Sequence, residues 1–291
     1  MRSFAGFDRA LARGASVVGM TYESVRVERR ESYAEVVLLG PGKGNAMGPA
    51  FWREVPRVFG ELDRDDAVRA IVVRGDGKQF TFGLDLPAMM GELGPKLGGE
   101  SMAKGRTELY ELILELQEAF NAIERCKKPV IAAVHGWCIG GGIDMITACD
   151  LRVASRDAKF SVREVRVAMV ADLGTLQRLP RIVGEGHARE LALTGRDFDA
   201  ERALRIGLVN ELYDGAEECF EGARALARAI ADNPPLVVQG AKRVLNERDG
   251  KTIAEGLRHV AVWNSAFLPS KDLGEAFASF VEKRPPKFRG E

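Results

Sequence analysis

The sequence predicts an α/β protein whose sheets are covered on both faces, followed by a purely helical C-terminal region. Two observations carry this reading. A unit of apolar strand, glycine turn and helix recurs through the first two-thirds of the chain, although its copies are not alike enough in letters to form a sequence repeat. From Leu236 the chain runs as three consecutive helices with apolar stripes and no sheet to lie on, so the stripes must bury against the main body or another copy of the chain.

Taken in order, Ser24 to Leu39 reads as two strands, SVRVERR and YAEVVLL, joined by a short polar turn into a hairpin. Pro41, Gly42, Gly44 and Asn45 break the pattern, and Pro49 to Asp63 carries Phe51, Val55, Val58, Phe59 and Leu62 at helical spacing. Val68 to Val73 is a β-branched run short enough for a buried strand. The glycine-rich segment from Gly91 to Gly105 reads as a mobile connection, and Thr107 to Cys126 as a long helix with Leu109, Leu112, Ile113, Leu116, Phe120 and Ile123 on one stripe. Pro129 to Val134 is another buried strand, Gly141 to Cys149 a glycine-led helix and Leu151 to Ala154 a short strand. Helices follow at Thr175 to Ile182, Gly186 to Leu193 and Ala200 to Ile206, then a strand at Leu208 to Leu212. Helices at Ala216 to Ala231, Leu236 to Glu247, Ile253 to Phe267 and Lys271 to Glu282 precede a basic, proline-containing tail.

These segments divide the chain into a flexible N-terminal extension (1–20), an α/β core (21–212) and a C-terminal helical region suited to self-association (213–291). The first twenty residues carry Arg2, Arg9 and Arg13 among small and apolar residues, as an organelle transit peptide would, but Asp8 and the shortness of the signal fit a plain extension equally well. With 42 basic and 42 acidic side chains the net charge is zero, which gives no bulk field to recruit nucleic acid or a membrane surface. No run reaches the roughly 18 apolar residues of a spanning helix. The four cysteines lack metal-ligand spacing and the three histidines form no cluster, so a metal site is not expected and the thiols read as reduced and buried. That usage suits a cytoplasmic protein, or the mitochondrial or peroxisomal matrix if the N-terminal segment is a targeting sequence.

Chemistry concentrates between His135 and Pro180. Gly140, Gly141 and Gly142, set between a strand and a helix, let backbone N–H groups point at a ligand near the positive end of that helix, although glycines there also serve close packing. No Gly-Lys-Ser/Thr follows, which excludes a nucleotide P-loop. A second cradle candidate is Phe82-Gly83-Leu84-Asp85, also after a strand, and two separate turns could hold one oxyanion between them. Asp144, Glu164 and Asp172 follow at spacings that helix and strand rules do not explain. Each alone has an ordinary alternative: a helix first-turn acid, a surface residue beside Arg163 and Arg166, and the N-cap of the helix from Thr175. His135 reads as a packed histidine, and Lys43 and Lys242 are candidates for contact with phosphate groups.

Together, FTFGLDL, KPVIAAVHGWCIGGGIDMITACDLRVAS, LQRLPRIVG and LALTGRDFDAERALRIGLVN resemble the enoyl-CoA hydratase/isomerase (crotonase) family over roughly residues 22 to 282. The resemblance implies a crotonase-like spiral of strand-strand-helix units with a C-terminal helical region that packs homotrimers, often paired into homohexamers. It implies an acyl-CoA thioester substrate and no cofactor beyond the coenzyme A that the substrate carries. The family's oxyanion-hole donors map onto the N–H groups of Leu84 and Gly141, with Phe82, Gly83, Asp85, Gly140 and Gly142 beside the substrate.

Hydratases of the family usually carry glutamate at the position of Asp144 and a small residue at that of Asp172. These departures, with ADLGTLQRLP and VQGAK, resemble the branch that converts 3,5-dienoyl-CoA to 2,4-dienoyl-CoA in fatty-acid β-oxidation, whose acidic triad falls on Asp144, Glu164 and Asp172. Such a shift needs a base at C2 and an acid at C6, because the charge of an oxyanion-stabilised dienolate spreads along the conjugated chain. The resemblance implies Glu164 as the base, Asp172 as the acid and Asp144 as the residue that orients or tunes them. The alternatives are hydration of a 2-enoyl-CoA, or a non-catalytic relative acting as a scaffold or RNA binder.

Overall fold

The computed structural model describes residues 20–40, 44–98 and 102–291. The expected N-terminal extension lies outside the described residues except for Met20, and so does Lys43. The chain opens with β1 (Met20–Thr21), β2 (Val25–Arg29) and β3 (Tyr33–Leu38), so the expected hairpin forms, and α1 (Pro49–Arg64) leads to β4 (Ala70–Gly75). Helices α2 (Leu86–Gly98) and α3 (Met102–Arg125) precede β5 (Val130–Val134), β6 (Trp137–Ile139), α4 (Gly141–Ala148), β7 (Leu151–Ser155) and β8 (Lys159–Ser161). After a 3-10 turn at Glu164–Val167 come α5 (Thr175–Val183), α6 (Glu185–Thr194), β9 (Phe198–Asp199), α7 (Ala200–Arg205), β10 (Glu211–Tyr213), α8 (Ala216–Ala231), α9 (Pro235–Asn246), α10 (Ile253–Phe267) and α11 (Lys271–Glu282).

A main sheet in the order β1-β2-β3-β4-β5-β7-β10 is antiparallel at its β1-β2-β3 edge and parallel thereafter. Parallel strands need both faces covered, and the period of two along each strand divides the work. Val36, Ile71, Val73, Ala132 and Val134 face a large core shared with α1, α3 and α4, while Tyr33, Val72, Ile131, Ala133 and Val153 face Phe220, Ala223 and Ala227 of α8. A second sheet has the order β6-β8-β9, and isolated bridges pair Thr81 with Cys138 of β6 and Met47 with Leu84. The second sheet's strands of two or three residues are too short to show a period, so periodicity does not reveal them.

Two expectations are corrected. The segment read as mobile is helical over 91–98 and 102–105, with residues 99–101 outside the described set. Gly91, Gly94 and Pro95 make α2 a poor helix by propensity, but Met89 is buried in the core, Leu93 packs on it, and the Lys96 carbonyl approaches the bare Cα of Gly105, so tertiary contact overrides propensity. Lys242 is not available to phosphate, because its buried ammonium bonds Asp150 at 2.6 Å and the Lys128 carbonyl at 3.1 Å.

On the α8 face of β3, Glu35 is 0% exposed and accepts from Arg224 at 2.9 and 3.1 Å, Arg74 at 2.8 Å and Arg30 at 3.1 Å. Burial works against its charge, but these guanidiniums overcome that and hold its pKa down to about 2. The folded value lies below the unfolded one, so the stabilisation is complete above pH 4.5 and is lost as pH falls from there towards 2. Glu35→Gln leaves the arginines facing an uncharged group and is expected to cost about 3–5 kcal/mol near neutral pH. Urea unfolding should show the gap from wild type shrinking below pH 4.5; an equal gap at neutral and acid pH would contradict the assignment.

Candidate active site

The site forms at two turns, one beside the isolated bridge of Thr81 with Cys138 and one at the end of β6. At the first turn, Thr81 Oγ1 donates to the Asn45 carbonyl at 2.7 Å and accepts the Gly83 N–H at 3.0 Å. Met47 brackets the next residue, donating to the Gly83 carbonyl at 2.8 Å and accepting from the Asp85 N–H at 3.1 Å. Leu84 is thereby held from both sides while its own N–H is left without a partner among the described residues. At the second turn β6 ends at Ile139, Gly140 adopts φ 53°, and Gly141 begins α4 with its N–H unpaired among the described residues.

The glycines bring these two donors together. A Cβ on Gly83 would lie 3.0 Å from the Gly141 nitrogen, and one on Gly141 would lie 3.8 Å from the Leu84 nitrogen. Two unpaired N–H groups from separate turns therefore converge at a helix N-terminus, an arrangement that can bind a carbonyl oxygen as it gains negative charge.

The other expected substrate contacts separate. A Cβ on Gly140 would stand 3.3 Å from Glu164 Oε1, which places that carboxylate over the turn. Gly142 instead backs onto Thr81 and Cys138, the packing role a glycine can have there. Asp85 caps α2, accepting the Ala88 N–H at 3.1 Å, and the Phe82 ring covers the bare Cα of Gly44. Met47 and Thr81 were not singled out by the sequence, and Asn45 only as a break in the strand pattern, since they lie in irregular segments without a period.

The three acids come together electrostatically. Asp144 is 1% exposed in the first turn of α4, and its Oδ1 accepts the Thr175 N–H at 2.6 Å, so it holds the start of α5. Burial, then the Glu164 charge, raise its pKa to about 7 against the pull of Thr175. Glu164, half-buried on the 3-10 turn, has one carboxylate oxygen buried without a hydrogen-bond partner, and burial with the Asp172 charge raises its pKa. Asp172 is the outermost, exposed as a residue, yet partial burial still raises its pKa. Arg163 turns away to Ser161 and Asp197, and among the described residues none of the three acids has an ion-pair partner. Nor does any group of three or more His, Cys, Asp or Glu side chains there have a geometry that could hold a metal ion.

The apolar side chains around the acids divide. Phe160 and Val162 are in the core, whereas Val165, Val167, Met169 and Val170 are exposed. His135 is packed as expected, bonded through Nε2 to the Gly77 carbonyl at 3.0 Å and edge-on to Phe220.

The sequence profile described as Enoyl-CoA hydratase/isomerase matches residues 28–291. The chain is 46% identical over 273 residues to the protein of Dictyostelium discoideum named Delta(3,5)-Delta(2,4)-dienoyl-CoA isomerase, mitochondrial, covering 92% of each chain. It is 42% identical over 268 residues to its peroxisomal namesake from Arabidopsis thaliana, covering 92% of this chain and 96% of that one. A solved enoyl-CoA hydratase from Bacillus anthracis superposes with a TM-score of 0.83 at 27% identity, over 92% of this chain and all of the other. The mitochondrial and peroxisomal names overturn the expected cytoplasmic location. Buried, reduced thiols suit an organelle matrix as well as a cytosol, so cysteine usage could not separate them. The profile match and these identities settle the relationship: the chain belongs to the enoyl-CoA hydratase/isomerase family and has its crotonase fold.

Proposed function

We propose that the chain isomerises 3,5-dienoyl-CoA to 2,4-dienoyl-CoA in fatty-acid β-oxidation. The observation that carries this reading is the set of three acids without cations, grouped beside two converging N–H donors; the relatives named as dienoyl-CoA isomerases support it. The thioester oxygen sits between the Leu84 and Gly141 N–H groups. Glu164 takes a proton from C2, the electron pair spreads from the thioester to C6, and Asp172 delivers a proton there, leaving double bonds at C2 and C4. Raised pKa values suit both roles, since each group must gain and lose a proton near neutral pH. Asp144 orients the pair through its bond to Thr175. Double bonds move with no net change in oxidation level, so no cofactor is needed beyond the coenzyme A of the substrate.

The helical C-terminal region supports self-association into a homotrimer or homohexamer. Helix α10 exposes Ile253, Leu257 and Val262, and α11 exposes Phe277, Phe280 and Val281, with Phe280 84% exposed. Purified protein given a 3,5-dienoyl-CoA should generate the ultraviolet band of the 2,4-dienoyl product, and light scattering on the same sample should return three or six times the 31.8 kDa chain mass. Faster water addition to a 2-enoyl-CoA than isomerisation would replace this reading with a hydratase, and a monomeric mass would remove the oligomer.

A further inference from the structure

No other side chain among the described residues bonds or pairs with the Asp172 carboxylate, yet the backbone around it is fixed from three directions. The Gln117 side-chain amide donates to the Asp172 carbonyl at 2.7 Å. Arg178 Nη1 donates to the Leu173 carbonyl at 3.3 Å. The same guanidinium lies against Gly174, where φ is 124° and a Cβ would fall 1.8 Å from Nη1, so only glycine leaves room for it. Asp144 then takes the Thr175 N–H. Every residue from 172 to 175 is thus held or covered by a group outside the turn.

The partners of this clamp are themselves ordered. Arg178 is 8% exposed, and its remaining N–H groups bond Glu124 at 3.0 and 2.7 Å and Asn121 at 2.8 Å. Gln117, Asn121 and Glu124 occupy positions i, i+4 and i+7 of α3 and so share one face of that helix. They line, with Asp172 and Arg178, a polar cavity of about 380 Å³. A long helix packed into the core through Leu116, Phe120 and Ile123 makes a rigid backing for a residue that is otherwise exposed.

We infer that Gln117 and Arg178 are positioning residues that hold Asp172 on its acyl-chain station by fixing the carbonyls of the 172–174 turn to α3. This deepens the proposed isomerisation and rests on it, because only a proton delivered far from C2 requires a second carboxyl at a fixed distance. A displacement near 1 Å at a reacting group can cost roughly a hundredfold, so loss of one clamp bond is expected to be expensive for the C6 step alone.

The test uses the full-length protein with Gln117→Met, which keeps the side-chain length and removes the donor. Formation of the 2,4-dienoyl product should fall about tenfold to a hundredfold with KM little changed, while exchange of the C2 proton with solvent deuterium stays within about twofold of wild type. Arg178→Lys, which keeps the charge but loses the fork, should show the same split, and Arg178→Met a deeper one. Amide hydrogen exchange over 171–176 should speed up in all three, and this arm needs no turnover. Equal losses of exchange and isomerisation, or unchanged amide protection in Gln117→Met, overturn the clamp. If wild type forms no 2,4-dienoyl product, the proposed function fails separately, and the amide exchange alone still decides whether α3 fixes the turn.

Discussion

Asp172→Asn should reduce formation of the 2,4-dienoyl product by about 10²–10⁴-fold while the C2 proton of the same substrate continues to exchange with solvent deuterium. Asparagine fits the space but has no proton to give at C6. Glu164→Gln should abolish both reactions, because without the base no dienolate forms. The pair also carries a pH signature. The Asp172 charge is one of the influences that raise the Glu164 pKa, after burial, so neutralising it lets Glu164 ionise at lower pH. The acid limb of the C2 exchange rate in Asp172→Asn should therefore move to lower pH than in wild type. Loss of exchange in Asp172→Asn, or a limb that moves upward, would reverse the two roles or remove the coupling between them.

The acids drew notice in the sequence because they stand at positions that helix and strand periods do not account for, next to glycines placed between strand and helix, while the roles proposed for them come from the family resemblance. What was not legible is how they are held. Asp144 looked like an ordinary first-turn acid, and it is one; its bond to the Thr175 N–H depends on α4 and α5 packing side by side. The alternative for Asp172, an N-cap of α5, fails because that cap is Gly174 and Asp144 supplies the capping oxygen. Met47 matters only because a segment without regular structure runs beside Leu84. Lys242 read as a candidate for phosphate contact and lies in a buried pair with Asp150, a partner 92 positions away. Periodicity reports which face of an element is buried, and it carries no record of which distant backbone group meets a polar side chain.

Gly83→Ala should lower C2 exchange and isomerisation together, by about 10²–10³-fold, the loss typical of one missing oxyanion donor. The residue has φ 76°, and its added Cβ would stand 2.5 Å from the Ile139 carbonyl and 3.0 Å from the Gly141 nitrogen. Both contacts are to backbone, which cannot swing aside as a side chain can, so relief has to come from parting the two turns that carry the Leu84 and Gly141 donors. Backbone strain alone does not explain such a loss, and Gly77→Ala separates the two effects. Gly77 has φ 66° with nothing within 4 Å of the added Cβ, so that variant bears the left-handed strain of about 1–2 kcal/mol in open space and should keep its activity. A Gly83→Ala enzyme that still exchanges C2 protons within tenfold of wild type would mean that the thioester oxygen binds elsewhere. Equal losses in the two variants would mean that strain, rather than the spacing of the donors, sets the rate.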